Sequence, residues 1–108
     1  MRNIYSTIHC STADAPIQIT NSSAGFNGVS SEVVVWFNGK ARALNAAAIY
    51  LGNSSSVSST NGFELNAEDS LPEEYRNTDA QASVSGARFW IVSSSTAAQL
   101  DYSLGLED

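Results

Sequence analysis

The chain of 108 residues is poor in the residues that most site chemistry requires. It contains one cysteine, Cys10, and one histidine, His9. A single cysteine excludes an internal disulfide, and one residue of each type is too few for a zinc site. The chain has five Lys and Arg residues and eleven Asp and Glu residues, which gives a formal net charge of −6. Because the positive charges are few and scattered, we expect no binding to nucleic acid.

Long hydrophobic runs are also lacking. No apolar run approaches the roughly 18 residues of a membrane-spanning helix, and the first residues lack the apolar stretch of a signal peptide. We therefore expect no membrane segment and synthesis in a cytoplasm. Charged residues make up only 15% of the chain, and Ser, Thr and Asn supply the polarity instead. Such a composition is typical of β-rich proteins and of surfaces that dock on other proteins, since few charges must be desolvated.

Motifs for catalysis are missing as well. His9 has no acid near it in sequence to orient it, and no Gly-x-Ser-x-Gly motif occurs. Glu73 and Glu74 are adjacent, so on a strand they point apart and do not form the carboxylate pair of a glycosidase. The acids between 64 and 74 lack EF-hand spacing and indicate a solvated acidic edge rather than a calcium site. We expect no enzyme, no cofactor and no metal.

The clearest organising feature is a Ser-rich connection between two short apolar runs. Ile49-Tyr50-Leu51 precedes it and Phe63-Glu64-Leu65 follows it. In each run the outer residues lie two apart, which places them on one face of a strand. Gly52-Asn53 and Asn61-Gly62 are turn chemistry. The pattern predicts two strands that turn one apolar face to a shared core.

The most β-prone run is Glu32-Val33-Val34-Val35-Trp36-Phe37, which is apolar on both faces. Simple alternation puts Val33, Val35 and Phe37 on one side and Val34 and Trp36 on the other. Asn38-Gly39 follows directly and predicts a two-residue hairpin turn, with residues 40–44 as the return strand. We expect residues 43–48 to continue in an extended path.

Further strands are predicted before and after this region. Residues 16–20 alternate after a proline, residues 88–92 are apolar on both faces like a central strand, and residues 100–106 alternate most clearly. Residues 72–75 read as a loop or one helical turn, and 76–87 as a loop. Six or seven short strands predict a single all-β domain, a β-sandwich or small jelly-roll-like barrel.

The first thirty residues are weakly patterned. We interpret residues 1–30 as an extended N-terminal arm and loop, and residues 31–108 as the β-sandwich domain. An arm without its own core needs a surface to lie on. Its apolar residues Ile4, Tyr5 and Ile8, together with Trp36, are therefore our candidates for a partner interface. Trp36 and Trp90 lie inside apolar runs, which favours a core or interface role over a sugar-binding platform.

Residues 45–106 resemble small β-rich virion proteins of tailed bacteriophages. The shared motifs, in order, are Ile49-Tyr50-Leu51-Gly52, Ser56-Val57-Ser58-Ser59-Thr60-Asn61-Gly62-Phe63-Glu64-Leu65, Glu68-Asp69-Ser70-Leu71, Phe89-Trp90-Ile91-Val92-Ser93 and the alternating strand at 100–106. Two stretches depart from the pattern: residues 72–88 are longer, and residues 1–44 extend beyond it. Proteins of this group are structural and carry no catalytic residues.

The resemblance implies a capsid cement or decoration protein, located on the capsid surface of a virion and made in the bacterial host cytoplasm. Its partner would be the outer surface of the major capsid protein lattice, and it would act as a homo-oligomer, for which a trimer is one candidate. The alternatives are a head–tail connector or tail accessory ring protein and, in another class, a carbohydrate-binding host-adhesion module with Trp36 or Trp90 exposed.

Overall fold

Eight β-strands form the regular structure of this computed structural model, which describes residues 2–29, 31–71, 84–85 and 88–107. The strands are β1 (Arg2–His9), β2 (Ile17–Gln18), β3 (Val33–Ala41), β4 (Ile49–Gly52), β5 (Phe63–Leu65), β6 (Val84–Ser85), β7 (Trp90–Ser93) and β8 (Gln99–Leu106). One short 3-10 turn, Ser22–Ala24, interrupts the connection between β2 and β3.

The strands form two antiparallel sheets of four. The first sheet has the order β1-β8-β3-β6 and the second has the order β2-β7-β4-β5. The first strand thus pairs with the last, the second with the seventh, the third with the sixth and the fourth with the fifth. Eight strands in two sheets with this nested pairing are a jelly roll. The predicted all-β sandwich of jelly-roll type is confirmed.

The core lies between the two sheets, and β8 contributes most regularly to it. Its alternate residues Leu100, Tyr102, Leu104 and Leu106 are all at most 4% exposed, as the sequence pattern predicted. Phe37 of β3 stacks on Phe89, with ring centroids 4.3 Å apart. Each fully buried Leu or Phe contributes about 1.5–3 kcal/mol.

The two strands predicted around the Ser-rich connection are present and pair in antiparallel register. Ile49, Leu51 and Leu65 face the core as predicted, but Phe63 is 37% exposed, so the predicted core face of β5 is wrong at that residue.

The N-terminal segment is not an arm. Residues 2–9 form β1, which pairs with β8 over its full length, and Ile17–Gln18 pair with β7 in the second sheet. The predicted division into residues 1–30 and 31–108 therefore cuts through a single folded unit. The pattern looked weak because Ser6 occupies a core-facing position between Ile4 and Ile8. Its hydroxyl is accommodated there because Asn21 Nδ2 donates a hydrogen bond to it.

The predicted hairpin at Asn38-Gly39 is wrong. Strand β3 continues through both residues to Ala41, and no return strand follows. A Cβ built on Gly39 would lie 3.4 Å from Leu71 Cδ1 and 3.5 Å from Leu100 Cδ1, which is ordinary contact, so the strand does not require glycine at this position. The pairing with β8 runs on through Asn38 with Ser103 and Gly39 with Tyr102. Pairing with a strand distant in sequence thus outweighs the local turn signal.

The two faces of β3 also differ from simple alternation. The register with β8 shifts between Val34 and Trp36, which is a β-bulge. Because the bulge inserts one extra residue, it reverses which residues face the core. Val34 and Phe37, which alternation placed on opposite sides, are both fully buried. The segment predicted as a loop at 76–87 contains strand β6, and most of the longer stretch 72–88 lies outside the described residues.

Candidate partner interface

The four residues predicted to form a partner interface are not equivalent in the fold. Ile4 and Ile8 are 2% and 7% exposed and belong to the core of their own chain. Tyr5 is 71% exposed, whereas Trp36 is half-buried. Of the four, only the Tyr5 side chain is largely open to a partner. The cause is the alternation of β1, which buries its even-numbered isoleucines and presents Tyr5 outward.

Tyr5 lies on the outer face of the first sheet, where it borders a shallow concavity of about 460 Å³. The register places Tyr5, Ser103 and Asn38 in one row across three strands. In the next row Thr7 donates a hydrogen bond to Asp101, which also accepts from Arg42 Nε at 3.0 Å. Both members of this ion pair are about half exposed, so it adds at most about 1 kcal/mol.

A second surface lies at one end of the sandwich, where three loops meet. They are residues 11–15, 42–48 and 94–97, and we call this surface the alanine-rich end. Bonds to neighbouring loops and strand ends hold each of them in place. Asp14 N donates to Ser93 O at 2.8 Å, Arg42 N donates to Gln99 O at 3.2 Å, and Cys10 N donates to Ala98 O at 2.9 Å.

Hydrogen bonds of Ser93 link the loops of this end. Ser93 is the buried polar residue of the described chain, with 1% of its surface exposed. Its hydroxyl donates to Ala48 O at 2.8 Å and accepts from Ser95 N at 3.2 Å, while its carbonyl accepts from Asp14 N. One side chain and its own backbone therefore connect all three loops. Ser93 is also the last residue of the motif Phe89-Trp90-Ile91-Val92-Ser93, one of those shared with phage virion proteins.

The turn at 42–48 is held rigidly and presents a leucine to solvent. Asn45 bonds the backbone of Gln99 twice, donating from Nδ2 to the carbonyl and accepting at Oδ1 from the amide, each at 2.9 Å. The neighbouring Leu44 is 97% exposed. Burial of a leucine side chain is worth about 1.5–3 kcal/mol. A fixed turn with an exposed leucine can supply this energy to a partner with little loss of conformational entropy.

The exposed residues around Leu44 are mostly small. Those of the three loops are Ser11, Thr12, Ala13, Asp14, Arg42, Ala43, Leu44, Ala46, Ser94, Thr96 and Ala97. Only Asp14 and Arg42 among them carry a charge, and Arg42 is already paired with Asp101. The connection after β5 adds two exposed acids nearby, Glu68 and Asp69, whose backbones bond that of Ala41. Few charges of the three loops themselves would be desolvated on contact with a partner.

The opposite end of the sandwich has a different character. Its loops, residues 20–29 and 53–62, form the serine-rich end. Within 53–62, Asn61 accepts from Ser58 N at 2.8 Å and donates to Ser56 O at 3.1 Å. The loop folds over Gly52, because a Cβ built there would lie 2.4 Å from Val57 Cγ2. Val57 is thereby buried to 6% exposure, and the loop's polar groups are largely satisfied within it.

Burial shifts the acid–base properties of two groups near these surfaces. Burial raises the pKa of the Cys10 thiol to about 11, so it stays protonated and unreactive at neutral pH. The pKa of Tyr102 is also raised by burial, although a hydrogen bond from Ser6 opposes the shift. Neither of these two groups has the lowered pKa of an activated nucleophile.

The described residues contain no group of three or more His, Cys, Asp or Glu side chains arranged to hold a metal ion. Within the same ranges, no helix has the length and apolar character needed to cross a membrane. Comparison with known proteins gave no match: no family model, no curated protein and no solved structure is significantly similar to this chain.

Sequence reasoning overlooked Leu44. It treated residues 43–48 as an extended connection, although they form a turn. The available signal was an apolar residue between alanines, followed by Asn45, a residue type that often bonds the backbone of turns. The bond partner of Asn45, however, is Gln99, 54 positions away. Local sequence therefore does not reveal that this turn is fixed.

Proposed function

We propose that this chain is a structural virion protein, a capsid cement or decoration protein that binds the outer surface of the major capsid lattice and stabilises it. The observation that carries the proposal is the alanine-rich end, with Leu44 at 97% exposure on a turn fixed by Asn45. Leu44 shares its turn with the exposed Ala43 and Ala46, and a cluster of exposed apolar residues, unlike a single one, marks a protein interaction site.

Two further features support a structural role over an enzymatic one. The motif order in residues 45–106 resembles that of phage virion proteins, and jelly rolls are common in capsid proteins, although a fold alone does not define a function. Arg42 and Asp101 are paired with each other, and burial raises the pKa of the Cys10 thiol, which keeps it in its unreactive form at neutral pH. A modest interface repeated over a lattice gives strong overall binding through multivalency.

The deciding experiment is the copy number of this chain in purified particles of the phage that encodes it, relative to the major capsid protein, by quantitative mass spectrometry. A ratio near that of the lattice subunit supports the cement role. A ratio that fits a single ring would contradict the cement role and support a head–tail connector or tail accessory protein. Absence from particles would contradict both.

A carbohydrate-binding host-adhesion module is the second candidate, and the exposed Tyr5 favours it. Tyr5 borders the concavity on the first sheet together with Asn38 and Asp101, and aromatic faces flanked by polar groups suit sugar rings. Trp36 lies on the same face. Titration with glycans therefore distinguishes the two roles: quenching or a shift of tryptophan fluorescence supports adhesion, and an unchanged spectrum supports cement.

A further inference from the structure

The edge of the first sheet formed by β1 is open. Strand β1 is eight residues long, pairs with β8 without a register shift and contains no proline. The edge strands of the second sheet, β2 and β5, are two and three residues long. Proteins normally shorten or block their sheet edges, because unpaired backbone groups recruit other strands. Both edges of the second sheet follow this rule and β1 does not.

The hydrogen-bond pattern identifies which backbone groups are open. Cys10 N donates to Ala98 O, and this pairing continues along the register as Ile8 with Leu100 and Ser6 with Tyr102. Because bonded and non-bonded pairs alternate in antiparallel ladders, the even-numbered residues of β1 bond to β8. The odd-numbered residues therefore direct their N–H and C=O groups away from the sheet. They are Asn3, Tyr5, Thr7 and His9.

No described residue bonds to these outward groups. The connection at 20–26 approaches β1 from its core-facing side and through side chains. Arg2 donates to Gly25 O at 3.0 Å and Asn21 donates to Ser6. Neither contact uses the outward backbone groups. The edge thus remains available over most of the strand.

We propose that β1 is a dimerisation edge, on which a second copy of this chain adds its own β1 in antiparallel orientation. A twofold axis at Ser6 places Tyr5 opposite Thr7 of the second copy and Asn3 opposite its His9. In this register every outward N–H and C=O finds a partner. An axis at Tyr5 would instead place His9 opposite position 1, outside the bounds of β1. Both axes keep the outer-facing side chains of the two β1 strands on the same side of the joined sheet, so the side chains allow either register. The pairing of backbone groups within β1 selects the axis at Ser6.

The second copy fits this edge better than any other described strand of the chain. Pairing β1 with β2, β5 or β6 of a neighbour would match eight residues with three or fewer. Charge also permits self-pairing despite the net charge of −6, because β1 carries no acid and its one arginine, Arg2, lies outside the overlap. On the outer face, Tyr5 of each copy lies diagonal to the other, within reach of an aromatic contact.

This inference does not rest on the proposed role in a virion. The two copies run antiparallel, so their alanine-rich ends lie at opposite ends of the dimer. The dimer edge and the alanine-rich end do not overlap. Variants of one surface are therefore expected to leave the other unaffected, which keeps the two proposals separately testable.

The test is sedimentation of the full chain over a wide concentration range, with amide hydrogen exchange measured by NMR. We expect the mass to rise toward twice the chain mass. The amides of Tyr5, Thr7 and His9 should become protected as the dimer forms. Those of Ser6 and Ile8 should be protected at all concentrations, because they bond to β8 in the monomer, and they serve as the internal control.

Two variants test the edge itself. Tyr5→Pro removes an outward N–H without touching the ladder to β8, and Thr7→Lys places a charge on the edge. Each should weaken association at least about tenfold while the Ser6 and Ile8 amides stay protected. The matched control is Ser103→Lys, one strand inward on the same face, which should still dimerise.

Three results would overturn the proposal. The first is a monomer at every concentration with rapid exchange at Tyr5 and Thr7. The second is a dimer that Tyr5→Pro and Thr7→Lys leave intact, because it must use another surface. The third is protection of the Tyr5 and Thr7 amides that appears only on purified particles. That result would mean that a strand of another virion protein, and not a second copy of this chain, pairs with β1.

Discussion

Loop 53–62 of the serine-rich end and the loops of the alanine-rich end solve the same problem differently. Both are rich in small residues, and both must satisfy the backbone groups that leave the sheets. At the serine-rich end, the bonds of loop 53–62 are local: Asn61 bonds Ser56 and Ser58 a few positions away. At the alanine-rich end, the bonds join distant segments, as between Asn45 and Gln99 or Asp14 and Ser93.

This difference accounts for which of these loops exposes apolar side chains. A loop whose polar side chains bond one another turns its apolar residue, Val57, inward and exposes hydroxyl groups. A loop fixed by distant backbone groups has no such need, so it can expose Leu44 and several alanines. The long-range bonds thus allow an apolar surface to persist on a well-ordered end. The predictions below test this contrast.

The largest expected effect is the protection of Cys10, which lies beneath the alanine-rich end with no exposed surface. Labelling by a thiol reagent at pH 8 should be at least about a thousandfold slower than in the unfolded chain, since the site must open first. The rate is measured by mass spectrometry against a urea-unfolded control. Rapid labelling of the native protein would mean that this end is not fixed.

The same thiol makes stability depend on pH. Its pKa is raised from 9.0 to about 11 in the folded protein. The stabilisation from the neutral thiol is therefore fully present below about pH 9 and is lost as the pH rises through about 11. Urea unfolding at pH 8 and pH 11 should differ less in a Cys10→Ala variant than in the native chain.

Leu44→Ser should weaken binding to capsid particles about ten- to hundredfold, because it removes the apolar centre of the alanine-rich end. Folding should be unchanged, since Leu44 contacts solvent. Particle occupancy after mixing is measured by quantitative mass spectrometry. The matched control is Val29→Ser, which changes a 47% exposed apolar residue at the serine-rich end. Equal losses for both variants would contradict the assignment of the interface.

Ser93→Ala should lower the free energy of unfolding by about 1–3 kcal/mol, because it leaves Ala48 O and Ser95 N without their partner. Urea denaturation measures the change. The control is Ser95→Ala, whose hydroxyl accepts a single bond, from Ala97 N at 3.2 Å. If both variants are equally stable, Ser93 does not hold the loops together.

Asn61→Ala should have the smallest effect, a loss of about 0.5–1.5 kcal/mol, because its two bonds lie within one loop. Hydrogen exchange should quicken in residues 53–62 and stay unchanged at the alanine-rich end. Asn45→Ala makes the converse comparison and should quicken exchange at Gln99. Faster exchange at both ends in either variant would show that the ends are not independent.

Much of the fold could be predicted from local pattern. Strand β8 alternates without interruption, and β4 and β5 flank a connection marked by Gly and Asn, so these strands were predicted from sequence, although Phe63 of β5 is exposed. β1 was missed because Ser6 interrupts its apolar face, and only Asn21, 15 positions away, explains how that serine is accommodated. The hairpin prediction failed because β3 stays paired with the distant strand β8 through Asn38 and Gly39.

The candidate interface was predicted less well than the fold. Tyr5, one of the predicted interface residues, is exposed, whereas Ile4 and Ile8 share its segment and face inward. A strand buries one residue and exposes the next, so membership of a segment does not decide exposure. Leu44 lies outside any alternating stretch of the sequence, so no periodic pattern predicts whether it is exposed. Its exposure depends on a turn that Asn45 holds in place by bonding to Gln99.

By itself, the sequence determined the class of the fold, the alternating faces of its clearest strands and the scarcity of catalytic and metal-binding residues. These properties depend on composition and on periods of two residues, which are local. Only the tertiary structure decided that the chain's first strand pairs with its last, that three loops converge on Ser93 and that β1 forms a long open edge. Those features arise from contacts between residues far apart in the chain, where the backbone and the core, rather than neighbouring residues, select the partner.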